Sequence, residues 1–249
     1  MDPIIRYYLQ IADNAYILSH RISENISSFP FLEEDIAHAN VALDLLGLAE
    51  AVYEEAALLL PDTKNGDQLI SQRTDHAFFH VNLMEQPNTD FAYIMMRQFF
   101  ADSFHFFFFS QLVSSRDPFL AAIANKSLKE VTYHLRRSSE WIIRLGDGTQ
   151  ESNRKAQQAA DELWKYTHEF FSPSEADLLL LEEKKVPELS ELQKLWRQKV
   201  NMIFYIAKLK VPEHSFSFTE GKKGFHTEHL GNILRDIQFL PLRYPDAEW

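Results

Sequence analysis

The sequence predicts an all-α protein built on a bundle of long helices. Three observations predict it. Only 7 of 249 residues are glycine, and long stretches contain neither Gly nor Pro, the strongest helix breakers. Apolar residues recur at helical spacing, as in Leu9, Ala12, Tyr16 and Ile17 around Asp13. Turn signals such as Ser27-Ser28-Phe29-Pro30, Asn65-Gly66-Asp67 and Ser115-Arg116-Asp117-Pro118 cut the chain into helix-length pieces.

The first helix is expected from about Pro3, a favoured residue in a first turn, to Ile26. The second runs from about Leu32 to Leu60, with Glu33, Glu34 and Asp35 at its positive end. A long connection from about Pro61 to Asp90 is expected to hold a short helix around Gln68 to Met84. The third helix follows to about Val113, and the fourth runs to about Leu145, capped by Gly146-Asp147-Gly148. Further helices are expected near Arg154 to Phe171, Glu188 to Ile206 and Thr227 to Phe239. Two helix pairs with short loops, joined by one long crossover, are the connectivity of a ferritin-like four-helix bundle. With no repeat, low-complexity tract or linker, residues 1–249 read as one domain. Its core bundle spans about 3–146, and its C-terminal helices and tail about 152–249.

A formal net charge of −11 argues against nucleic acid and anionic membranes as partners. The absence of cysteine excludes disulfides, thiolate metal sites and a cysteine nucleophile. The first residues, Met1-Asp2-Pro3-Ile4-Ile5-Arg6, lack the basic segment and apolar run of a signal peptide, so a cytoplasmic protein is expected. The most apolar stretch, Phe99 to Phe109, is interrupted by Asp102, Ser103 and His105, and reads as a buried helix rather than a membrane span.

A ferritin-like di-iron centre takes one Glu from each of two helices and Glu-x-x-His from each of the other two. Asp13, Asp44, Asp102 and Glu130 place one acid on each of the four long helices. A buried carboxylate needs a partner or a metal. The imidazoles, however, are missing where they belong. Position i+3 after Asp44 is Gly47, and position i+3 after Glu130 is Tyr133. His134 comes one residue late, turned by about 100°. The only acid-x-x-His on these helices, Asp102-Ser103-Phe104-His105, lies on a helix that should supply a lone acid. The set Asp13, Asp44, Gly47, Asp102, Glu130 and Tyr133 therefore reads as a degenerate di-iron site without metal. The same acids could instead be paired with Arg, Tyr or His in a polar core, with Glu130 facing solvent. A further alternative is an active di-iron oxidase or oxygenase with unusual ligands, Asp44, Asp102, His105 and Glu130.

Other candidates are weaker. His76-x-x-x-His80 has the spacing of a helical metal clamp, but the one acid nearby, Asp75, is expected to point elsewhere, so it reads as a surface pair. His226-Thr227-Glu228-His229 opens a helix, with Thr227 as its cap. Gly221-Lys222-Lys223-Gly224 is a basic island that could touch a phosphate or a partner through Lys222 and Lys223, and lacks the spacing of a P-loop. No nucleophile elbow, dinucleotide fingerprint or zinc motif is present.

Several segments resemble the structural subunits of the ring 1,2-phenylacetyl-CoA epoxidases. They are Ala42-Leu43-Asp44-Leu45-Leu46-Gly47, Glu85-Gln86-Pro87-Asn88, Ser115-Arg116-Asp117-Pro118, Lys129-Glu130 and Tyr133-His134-Leu135-Arg136. Gly221-Lys222-Lys223-Gly224, His226-Thr227-Glu228-His229-Leu230-Gly231 and Trp249 complete the likeness, which runs from Tyr7 to Trp249. The resemblance implies a ferritin-like, non-catalytic subunit of a multicomponent monooxygenase of aerobic phenylacetate catabolism. It implies a catalytic ferritin-like sister that carries the di-iron centre and binds the CoA thioester, and a reductase that uses NADPH, FAD and an iron–sulfur cluster. This chain is then expected to carry no catalytic residue and no cofactor, to join the sister and other subunits in a hetero-oligomer, and to form a homodimer when isolated.

Overall fold

The computed structural model describes residues 1–29, 31–213, 217–218 and 220–244. Pro30, at the expected end of the first loop, and Trp249, part of the family likeness, lie outside the described residues. Among the described residues all regular structure is helical: α1 Pro3–Ser23, α2 Leu32–Leu58, α3 Gly66–Ser71, α4 Phe91–Leu112, α5 Pro118–Gly146, α6 Gln150–Thr167, α7 Glu175–Glu182, α8 Leu189–Ile206 and α9 Glu228–Arg243. The hairpins α1–α2 and α4–α5, with one long connection between them, have the ferritin-like connectivity.

Local chemistry sets the helix ends. Asp2 accepts the backbone N–H of Ile4 at 2.9 Å, with Pro3 in the first turn of α1. Asp90 caps α4 through Tyr93 N at 2.9 Å, and Asp117 caps α5 through Leu120 N at 3.0 Å. α1 stops at Ser23, three residues before the expected Ile26. There the chain changes to i→i−3 turns, Asn25 N to Ile22 O at 3.3 Å and Ile26 N to Ser23 O at 3.2 Å, and Ser27 adopts a φ of 74°. Hydrophobic spacing does not predict α7. Its signal is a reciprocal cap, in which Ser174 and Asp177 bind each other's backbone N–H groups.

The connection differs most from expectation. The helix expected over Gln68 to Met84 is only Gly66–Ser71, followed by a 3₁₀ turn at Asp75–Ala77. Side chains of α1 intercept the backbone donors that a longer helix would need. Phe79 N donates to Asp13 Oδ2 at 2.7 Å, and Val81 N donates to Asn14 Oδ1 at 3.0 Å. His76 and His80 consequently do not share a helix face.

Two compact units result, Met1–Pro87 with Glu220–Trp249, and Asn88–Thr219. The first unit holds α1, α2, α3 and α9. Its core includes Leu9, Ile17, Leu18, Val52 and Phe78, each fully buried. α9 is fastened to the region of α3 by Gln238 Nε2, which donates to Ile70 O at 2.9 Å and Arg73 O at 2.8 Å. Gly224 turns the chain there with a φ of 87°, and a Cβ at that position would lie 2.2 Å from His76 O, so no other residue fits.

The second unit holds α4 to α8 around an aromatic core. Phe100 stands 5.6 Å from Trp164, 5.7 Å from Trp196 and 6.1 Å from Phe204, ring centre to ring centre. The Trp196 indole donates to Phe100 O at 3.1 Å. Phe108 and Phe109 are buried and Phe104 stacks on Phe170 at 4.4 Å, so this run is core as its composition suggests.

α2 has a mean hydropathy of 1.2 over its most apolar stretch, enough by length and composition to cross a membrane. Packing on α1 accounts for one face, which buries Val41, Leu45, Leu48 and Val52. A second face leaves Leu32, Ile36, Leu43 and Leu46 exposed.

Candidate functional site

In the first unit Asp13 is completely buried on α1 and saturated with donors. Tyr53 Oη donates to Oδ1 at 2.6 Å, and Phe79 N and Arg73 Nη1 donate to Oδ2 at 2.7 and 3.1 Å. Arg73 Nη2 lies 2.5 Å from Oδ1. Burial, then the adjoining Asp13 charge, push the Tyr53 phenol well above its ordinary range, so it stays a donor. Arg73 also donates to Ala77 O at 2.9 Å and stacks over the Phe78 ring at 4.1 Å. This arrangement leaves no lone pair of Asp13 directed at a metal. Asp44 and Gly47 are not buried on α2 but lie toward its solvent side. A Cβ at Gly47 would meet nothing within 4 Å, so packing does not exclude a side chain there.

In the second unit Asp102 is buried on α4 and accepts from Gln98 Nε2 at 2.5 Å. The α5 residue that acts on it is His134, which is buried, whereas Tyr133 is exposed and Glu130 half-buried. The inward line of α5 is therefore Ser127, Val131, His134 and Ser138. Desolvation pushes the Asp102 carboxyl up to about 6, against the opposing pull of His134, Ser138, Gln98 and Arg137. Desolvation, aided by His134, pulls His105 down to about 3, so its ring is neutral.

These two shifts carry opposite pH dependence. Asp102 binds its proton more tightly folded than unfolded, so its contribution is full below about pH 4 and is lost as pH rises to about 6. His105 binds its proton less tightly folded, so its contribution is full above about pH 6.5 and is lost as pH falls toward 3. Between about pH 4 and 6 the slopes oppose each other, each at up to about 1.4 kcal/mol per pH unit. Asp102→Asn removes one of them. Urea unfolding midpoints across this range are expected to fall more steeply with acid in the variant than in the wild type, and equal slopes would show that Asp102 does not titrate there.

One further polar cluster lies in the first unit, between the loop before α4 and the start of α9. Glu85 Oε1 accepts from Thr227 N and Thr227 Oγ1, each at 2.6 Å. Glu85 Oε2 lies 2.9 Å from His80 Nε2 and 3.4 Å from His226 Nδ1. The two imidazoles stack at 4.1 Å, with 13° between their planes. Burial disfavours the Glu85 charge, but hydrogen bonds from His226 and His80 outweigh it and hold the carboxyl far below the usual range. Burial first, then the neighbouring His226, lower His80. The sequence marks His80 and His226 but pairs each with the wrong neighbour. His76 is exposed and bonds Gly224 O at 2.9 Å. The adjacent basic island is a folded turn, in which Lys222 O accepts from Arg6 at 2.8 Å and Lys223 reaches Glu220 at 3.3 Å.

Among the described residues, one group of three His, Asp or Glu donors converges within 4.8 Å, and it is His80, Glu85 and His226. Asp13, Asp44, Asp102, His105 and Glu130 are not part of that group. The fold and these acids define a ferritin-like helical protein in which Asp13 and Asp102 are engaged in polar cores. The chain belongs to the family described as phenylacetic acid catabolic protein, whose model matches residues 1–249. It is similar to a subunit of the 1,2-phenylacetyl-CoA epoxidase of Escherichia coli strain K12, at 41% identity over 249 residues and 100% of both chains.

Proposed function

We propose that this chain is the structural, non-catalytic subunit of a multicomponent oxygenase that epoxidises the aromatic ring of phenylacetyl-CoA, working as one ferritin-like domain in the cytoplasm. The observation that carries this reading is the engagement of Asp13 by Arg73, Tyr53 and Phe79 N, on a helix where a di-iron enzyme would need a free carboxylate. The full-length likeness to an epoxidase subunit supplies the reaction and the setting. The di-iron centre and the CoA thioester site then belong to a catalytic sister subunit, and electrons come from NADPH through a separate flavin and iron–sulfur reductase.

The role left to this chain is to stabilise the sister by burying surface against it. The exposed face of α2, Leu32, Ile36, Leu43 and Leu46, supplies apolar area of the kind that stable hetero-oligomers bury. Reconstitution tests the reading. The complex assembled with a chain carrying Asp102→Asn and Glu130→Gln is expected to turn over phenylacetyl-CoA at the wild-type rate, while omission of the chain abolishes turnover. A large loss of turnover in a variant complex that still assembles would make these acids catalytic.

A further inference from the structure

We infer that His80, Glu85 and His226 form a binding site for one divalent cation of the zinc class. The site is structural, and it ties the start of α9 to the loop before α4. It is distinct from the helix positions that a di-iron centre would use.

The donor set is two imidazoles and a carboxylate, the chemistry that zinc takes with a water in the remaining position. The three side chains are almost wholly removed from solvent, at 0%, 0% and 3% exposure for His80, Glu85 and His226. Glu85 Oε2 lies 2.9 and 3.4 Å from the two nitrogens, near enough for the three donors to reach one ion once an imidazole turns. The outer contacts are those of a ligand set. His226 Nε2 lies 2.9 Å from Phe78 O, and a carbonyl only accepts, so this nitrogen carries the proton. With Nε2 protonated, His226 Nδ1 engages the Glu85 carboxylate 3.4 Å away either as a donor of an imidazolium or through a cation that stands between the two. Glu85 is itself oriented by the two bonds from Thr227 to its other oxygen. A cleft of about 110 Å³ opens beside His226, lined also by His76, Gly224, Phe225 and Thr227.

The competing cation is a proton, which would make His226 an imidazolium. The stacked rings suit that state as they stand, and metal capture requires one imidazole to rotate so that the two lone pairs converge.

The test is a titration of the metal-stripped full chain with zinc at about pH 7.5, where free imidazole is neutral, followed by calorimetry, and with cobalt, followed by its visible ligand-field bands. One equivalent per chain, with the bands of a nitrogen–oxygen site and a zinc-dependent rise in melting temperature, is the expected result. Glu85→Gln and His226→Gln are expected to abolish uptake, and His76→Gln to leave it intact, with folding of each checked by circular dichroism. Should the variants fail to fold, the wild-type cobalt spectrum decides alone. Absence of stoichiometric uptake would overturn the inference and identify the cation as a proton, and so would uptake unchanged by Glu85→Gln. Zinc at one equivalent is read independently of iron, so failure here leaves the scaffold reading untouched.

Discussion

Arg73→Ala is expected to destabilise the chain by about 3–5 kcal/mol, because it strands the fully buried Asp13 carboxylate without its counter-ion. The substitution also removes the donor to Ala77 O and the stacking on Phe78, which together hold the irregular segment after α3. Urea unfolding followed by circular dichroism measures the loss. Removing both charges with Asp13→Leu and Arg73→Met is expected to recover part of it, since apolar replacement of a buried pair is often neutral. A loss below about 1 kcal/mol for Arg73→Ala would show that the pair is screened like a surface contact.

Glu85→Ala is expected to have a comparable effect, about 3–5 kcal/mol, for a related reason. The carboxylate satisfies Thr227 N, Thr227 Oγ1 and His80 Nε2, and all of these donors lose their partner at once. Thr227 caps α9, so the C-terminal helix is expected to loosen first, visible as faster amide exchange over residues 228–243. The pH dependence has a definite sign. Glu85 is depressed on folding, so its contribution is full above about pH 4.3 and is lost as pH falls below that, and the variant should lose this part of the wild type's acid sensitivity. Unchanged exchange in α9 would contradict the clasp.

Much of this is legible in the sequence. Scarce Gly and Pro, the acidic first turn of α2 and the caps Asp2, Asp90 and Asp117 are local signals, and the helices they delimit begin where those signals place them. The connection is not legible, because its fate depends on Asp13 and Asn14, which lie far away in sequence and bind the backbone of Phe79 and Val81. The partner of Asp13 is hidden for the same reason. No local pattern marks Arg73 as the group that crosses to α1, and the available signal is only that it is the single Arg between Pro61 and Asp90.

The α5 register shows a different limit. A ligand pattern aligns Glu130 and Tyr133, whereas the buried line runs through His134, one residue beyond Tyr133. One residue is about 100° of helix, enough to exchange an inward side chain for an outward one. The apolar spacing of Ile123, Val131 and Leu135 contains that register, and it outweighs the motif. His80 and His226 lie more than about a hundred residues apart, and only the fold of the first unit stacks them beside Glu85.

The proposed scaffold role requires a chain without a di-iron centre. Elemental analysis of the chain, expressed in iron-replete medium and purified alone and then with the proposed catalytic subunit, tests this requirement. Iron well below one atom per isolated chain, with iron appearing only in the complex, is the expected result. Close to two irons in the isolated chain would contradict it, and Asp44, Asp102, His105 and Glu130 would then be the ligands to replace.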